Sequence, residues 1–308
     1  MIINVAYLTL SFLYHHFFLL YSFLRIRLSF LKTAAMAEFI PEDCEGIFLC
    51  AGYEQQAPST IEFMVNAALT VLKAAELAGK KKNTHNNIPC VVLTSSTGST
   101  NLPGAHAEAV KNEIEYWSDP AAQQAHHKWS PAAKTLMELR ALEYVGRDAR
   151  NDIVDPIRAQ EKPRLCILNP SLILGPQLQP GTIRGNGLPW FGKIVRGQIM
   201  TETLWNDSMS IIHADDLAKL HIGCLETPSA SGRYFGVEQS WHWEEICHAI
   251  QNSEGEAHFK MPSKNYTDRA PVTLFDTSRR DTLMAGFQLR GLTTLVSETC
   301  DFLRDKTI

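Results

Sequence analysis

Glycine is absent from the first 45 residues of this 308-residue chain, although 18 glycines follow. A Gly-rich turn that lets backbone N–H groups approach a pyrophosphate therefore has no place in that stretch. Also missing is any Cys-x-x-Cys, and the seven cysteines are odd in number and widely spread. That spacing argues against a zinc knuckle or a disulfide scaffold, and no metal is expected. Cys50 in IFLCA and Cys166 in RLCIL lie inside apolar runs, where a thiol behaves as a small hydrophobe; a reducing, cytoplasmic setting is expected. Neither sign of charge dominates, with 29 basic against 33 acidic side chains and a net charge of −4. Lacking a basic face for a phosphate backbone, the chain is not expected to bind nucleic acid. Internal repeats and low-complexity tracts are missing too. What is present is a 45% apolar composition and enough length for one large domain or two modest ones.

Met1 to Leu24 carries no Asp, Glu, Lys or Arg and is followed by Arg25, Arg27 and Lys32. As a helix it would extend about 36 Å, enough for a hydrocarbon core of about 30 Å. Against a span stand His15 and His16 at its middle and the lack of a basic n-region. Residues 1–35 therefore have three readings: a membrane anchor with a cytosolic body, a cleaved targeting segment, or a translated stretch upstream of a start at Met36. Contact with a membrane is expected only under the first.

From residue 36 onward short apolar runs alternate with helix-length periodic segments, the pattern of βαβ units and a parallel sheet. Strands are expected near 46–52, 90–96, 164–170 and 208–213, with a strand-like GRYFGV at 232–237. Ser59-Thr60-Ile61-Glu62 has capping-box spacing before a periodic helix, and Pro131 opens a second helix running to about Val145. Ser130 before Pro131 reads as a helix N-cap, and Asp215 as the cap of the helix after 208–213.

VVLTSSTGS, then SPAAKTLMELRALEYV with Lys134, RLCILNPSLILGP, SIIHADDLAKLHIGCLE and GRYFGV follow one another in an order that resembles the extended short-chain dehydrogenase/reductase family. Within it the likeness is to the NAD-dependent epimerase/dehydratase and dihydroflavonol-reductase-like branch, over about Asp43 to Leu303. The resemblance implies an α/β fold, a Rossmann-like parallel sheet with flanking helices that is N-terminally incomplete here, plus a small C-terminal substrate subdomain. Residues 36–175 and 208–224 would form the Rossmann-like domain, with 176–207 and 225–308 as the substrate subdomain. It further implies NAD or NADP as cofactor, a small-molecule substrate and redox chemistry at a carbonyl or carbinol carbon. Ser96 falls at the family's substrate-holding serine and Lys134 at its lysine. Ala51, Gly52, Asn66, Asn169, Pro170 and Ser171 fall at cofactor-side positions.

The family tyrosine, four residues before Lys134, is replaced by Ser130. An aliphatic hydroxyl is too weak an acid to replace a phenol of pKa about 10 that a neighbouring ammonium lowers. His126 or His127 could stand in. Gly181, Gly185 and Gly187 copy a phosphate-loop spacing, but PQLQP precedes them and Pro189 follows, so they read as a substrate-side loop. Trp190, Phe191, Trp241 and Trp243 are candidate apolar walls for a pocket. The chain is thus expected to be an NAD(P)-dependent oxidoreductase, a non-catalytic relative that keeps the fold for binding, or an incomplete version of an active reductase.

Overall fold

A computed structural model describes residues 3–8, 21–26, 33–41, 43–50, 52, 56–81, 88–106, 108–177, 183 and 185–306. The chain begins with β1 (Ile3–Leu8), β2 (Tyr21–Ile26), α1 (Thr33–Glu38) and β3 (Cys44–Leu49). It continues through α2 (Ser59–Lys81), β4 (Cys90–Thr94), the short β5 (Val110–Lys111), α3 (Pro120–Ala125), α4 (Trp129–Tyr144) and α5 (Pro156–Glu161). Next come β6 (Leu165–Pro170), β7 (Leu172–Leu174), α6 (Gly187–Val195), β8 (Ser208–His213), α7 (Ala214–Glu226) and β9 (Gly232–Gly236). The C-terminal part adds β10 (Gln239–His242), α8 (Trp243–Glu254), β11 (Leu274–Phe275), α9 (Ser278–Asp281) and α10 (Leu292–Arg304).

Six strands form the central sheet in the order β2-β1-β3-β4-β6-β9, every pair parallel. β3, β4 and β6 read as near-continuous apolar runs because helices cover both of their faces. On one face Ile47, Leu49, Val91, Leu93 and Ile167 pack with Ala68 and Val71 of α2 and Met137 of α4. On the other, Phe48, Val92, Cys166 and Leu168 meet Leu217, Leu220 and Cys224 of α7. A three-stranded sheet, β10-β8-β7, supports a second core built with α6, α8 and α10. The glycine at 175 joins the two: its φ is +113°, and a Cβ there would lie 2.6 Å from His213 Nε2. No side chain fits that turn.

Several expectations are corrected. Residues 3–8 and 21–26, read as part of an apolar leader, are strands of the central sheet; an apolar run with few charges serves a parallel strand as well as a span. No helix among the described residues is long and apolar enough to cross a membrane. Residues 208–213 form a strand, but it pairs with β7 and β10, and the central sheet's last place goes to β9, from within the expected 225–308 substrate part. Ser130 does not cap α4, which starts two residues earlier than expected, at Trp129 after Lys128, so Pro131 sits in the first turn, where its missing N–H goes unused. His213, not Asp215, caps α7, its ring accepting from Asp215 N at 3.1 Å. Phe191 and Trp243 are buried, and Trp190, Trp205 and Trp243 pack ring on ring at 5.3–5.9 Å, which makes these aromatics core of the second unit instead of walls of an open pocket.

Candidate functional site

The C-terminal ends of β3, β4 and β6 point the same way because the strands are parallel, and a cavity of about 240 Å³ opens there. Cys50, Thr94, Ser171, Asn186, Leu217 and His221 are among its walls. Crevices at the carboxyl ends of strands are where open α/β sheets bind ligands.

Thr94, the last residue of β4, organises this end. Its carbonyl accepts from Lys134 Nζ at 2.7 Å, and its hydroxyl lies 2.7 Å from His221 Nε2 and 3.2 Å from Cys50 Sγ. His221 Nδ1 is 2.8 Å from the Leu217 carbonyl, which can only accept. Nδ1 therefore carries the proton and Nε2 accepts from the threonine. Burial pushes the imidazole down to about 4, so it is neutral, and pushes the Cys50 thiol up to about 11. Enclosure lowers Lys134 to about 8 against the opposing pull of Glu138 and Cys50.

Two residues beyond Thr94, Ser96 caps a single 3₁₀ turn, Thr97–Ser99, its Oγ accepting from Gly98 N at 3.1 Å. Ser96 thus follows the strand end at which Lys134 donates to the Thr94 carbonyl. Ser130 stands one helical turn before Lys134 on the same side of α4. Ser171 lines the cavity, Pro170 ends β6 beside Gly236, and a Cβ on Gly52 would meet open space. Asn66 is exposed on α2, away from any partner named here, and Ala51 lies outside the described residues. His126 and His127 are exposed at the end of α3, where His126 lines a separate depression and His127 packs on Trp129 at 5.5 Å.

Asn169 is committed inward. Its Nδ2 donates to Ser96 O at 3.1 Å, Ser99 Oγ at 3.0 Å and Glu138 Oε1 at 2.8 Å. The same carboxylate accepts from Ser95 and Ser99 and pairs with Arg233 Nε at 2.8 Å. Arg233 also donates to the carbonyls of Glu113 and Tyr116 and stacks 3.8 Å over the Trp117 ring. This buried network ties the ends of β4 and β6 to α4 and β9. The sequence offered little sign of it: Glu138 and Arg233 are far apart in the chain, and His221 was visible only as a histidine on the apolar face of α7.

No family model matches the sequence. The chain is 31% identical over 232 residues to cinnamoyl-CoA reductase 1 of Arabidopsis thaliana, covering 75% of this chain and 59% of that one. It is 27% identical over 266 residues to cinnamoyl-CoA reductase 2 of Medicago truncatula, 85% of this chain and 71% of that one. The yeast methylglyoxal/isovaleraldehyde reductase Gre2, solved with NADPH, superposes with a TM-score of 0.68 at 15% identity over 91% of this chain and 84% of its own. The chain is thus similar in sequence to these reductases and shares its fold with Gre2. Against the first of these relatives it spans 59% of the length. Lys134 donates to the carbonyl of Thr94 at the end of β4, two residues before Ser96, and the position four before Lys134 is Ser130.

Proposed function

We propose that the chain is an NAD(P)-dependent oxidoreductase acting on a carbonyl or thioester carbonyl of a small molecule, in the cytosol. The observation that carries this is a cavity at the carboxyl ends of the parallel strands, walled by Cys50, Thr94 and Ser171, with Lys134 bonded to the Thr94 carbonyl, in a chain similar to cinnamoyl-CoA reductases.

The nicotinamide half of the cofactor fits the residues present. The cavity is apolar with a few polar groups, Gly52 leaves room for close approach, and Asn169 Oδ1 is a buried acceptor that meets no donor. Cys50, Thr94 and Ser171 would hold the ring and its carboxamide, and Lys134 the adjoining ribose. When bound, the dinucleotide supplies a hydride. Ser96 Oγ holds the substrate oxygen, and the neutral His221 and un-ionised Cys50 keep the wall uncharged. The pyrophosphate half fits less well, since residues 1–45 contain no glycine for a tight phosphate turn.

Incubating the full chain with NADPH and either cinnamoyl-CoA or isovaleraldehyde tests the reading. Consumption of NADPH that depends on the carbonyl compound and is lost in Ser96→Ala supports it; cofactor binding without turnover favours the second reading, a non-catalytic relative, for which Ser130 in place of a phenol speaks.

A further inference from the structure

We propose that His221 is a positioning residue: it holds the Thr94 proton inside the wall, so that Thr94 meets the cavity as an acceptor and takes an N–H of the nicotinamide carboxamide. The inference rests on the reductase reading and adds to it the sense of one hydrogen bond.

That sense is fixed from the far end of a chain of groups. The Leu217 carbonyl can only accept, and it lies 2.8 Å from His221 Nδ1, so this nitrogen carries the ring proton. A neutral imidazole has one N–H, which leaves Nε2 as an acceptor. Thr94 Oγ1, 2.7 Å from Nε2, must then donate to it. A hydroxyl has a single proton, and with that proton spent only lone pairs remain to meet a ligand.

Cys50 does not change the order. Its Sγ lies 3.2 Å from Thr94 Oγ1 and 3.8 Å from Nε2, and sulfur is the weaker acceptor, so the imidazole keeps the proton. A proton turned to the sulfur instead would still be spent on the wall. Burial holds His221 down at about 4 and Cys50 up at about 11, so both are uncharged at neutral pH and no imidazolium stands there to reverse the order.

Placement makes this order matter to a ligand. Cys50, Thr94, Leu217 and His221 all line one cavity, the imidazole fully buried and Thr94 only half-buried. Ser171 is a further hydroxyl among the same walls, and it reaches only a weak acceptor, the Met209 sulfur at 3.9 Å, which leaves its proton free to turn. A primary amide carries both donors and an acceptor. Its N–H side matches Thr94 and its carbonyl side matches Ser171, whereas a methyl ketone of the same shape has nothing to give Thr94.

The test compares NADPH with its 3-acetylpyridine analogue, in which a methyl ketone replaces the primary amide, by quenching of protein fluorescence on the full chain. The native chain is expected to bind NADPH about tenfold more tightly or better, because the analogue leaves the Thr94 acceptor unpaired. Thr94→Val keeps the shape and loses the oxygen, so the two affinities should come within about twofold of each other, and Thr94→Ser should restore the difference. In His221→Phe the Thr94 proton is released to turn outward, so the preference should collapse although Thr94 is intact. A purely structural role for His221 would weaken both ligands alike and leave their ratio unchanged. Equal binding by the native chain, or a preference that survives in Thr94→Val or in His221→Phe, overturns the proposal; should a variant not fold, the native ratio still decides. If neither dinucleotide binds the native chain, the reductase reading has failed and the inference falls with it.

Discussion

At the scale of single residues, the site is held by groups that never touch a ligand. Glu138 and Arg233 are both buried and pair with each other, so removing one charge strands the other. Breaking such a pair costs about 3–5 kcal/mol. Glu138→Gln should lower folding stability by that order in urea titration, and a change under about 0.5 kcal/mol contradicts the role given to the network. His221 adds a pH dependence whose sign follows from its depressed value of about 4. Above the unfolded value of about 6.5 both states are neutral; as pH falls, the unfolded chain takes up the proton first, so stability is lost between about pH 6.5 and 4. The loss should reach roughly 3 kcal/mol, and His221→Gln should flatten it in urea midpoints measured across that range. Ser96 and Lys134 could be singled out from the sequence because they belong to one motif read off a strand end and the next helix. Thr94 and His221 were not, because their meeting depends on how α7 lies over β4.

At the scale of elements, apolar runs located β3, β4, β6 and β8, and helix punctuation located α2. Partners were another matter. A strand's composition says that it is buried, not which neighbour it pairs with, and so β8 was assigned to the central sheet while β9 held the place instead. The apolar N-terminal segment left three readings open for a related reason, since a scarcity of charge suits a parallel strand and a bilayer alike. Close packing of α7 gives a direct check on the arrangement. A Cβ at Gly223 would lie 2.2 Å from the Leu283 carbonyl oxygen, which is backbone and cannot swing away. Gly223→Ala should therefore destabilise by about 1–3 kcal/mol or more despite raising helix propensity, measured as a fall in the urea midpoint. A stabilised variant would place α7 elsewhere.

At the scale of the whole molecule, two cores meet at the strand ends, one built on the parallel sheet and one on α6, α8 and α10. Their junction carries Ser171, Asn186 and Leu188 to the cavity, which is why residues remote in sequence share one wall. The cavity at these strand ends is the place proposed above for the nicotinamide half of the cofactor. Reduced nicotinamide mononucleotide should accordingly bind within about tenfold of NADPH in fluorescence titrations, about 1.4 kcal/mol; a far larger gap would place a strong phosphate site in the chain.

The most direct measurement is an equilibrium titration of NADPH against the full chain and against Ser171→Trp, whose indole fills the cavity at the end of β6. Saturable binding by the first, with at least tenfold weaker binding by an equally stable variant, is the predicted result. No binding by the native chain, or equal binding by both, would contradict a nicotinamide site at these strand ends.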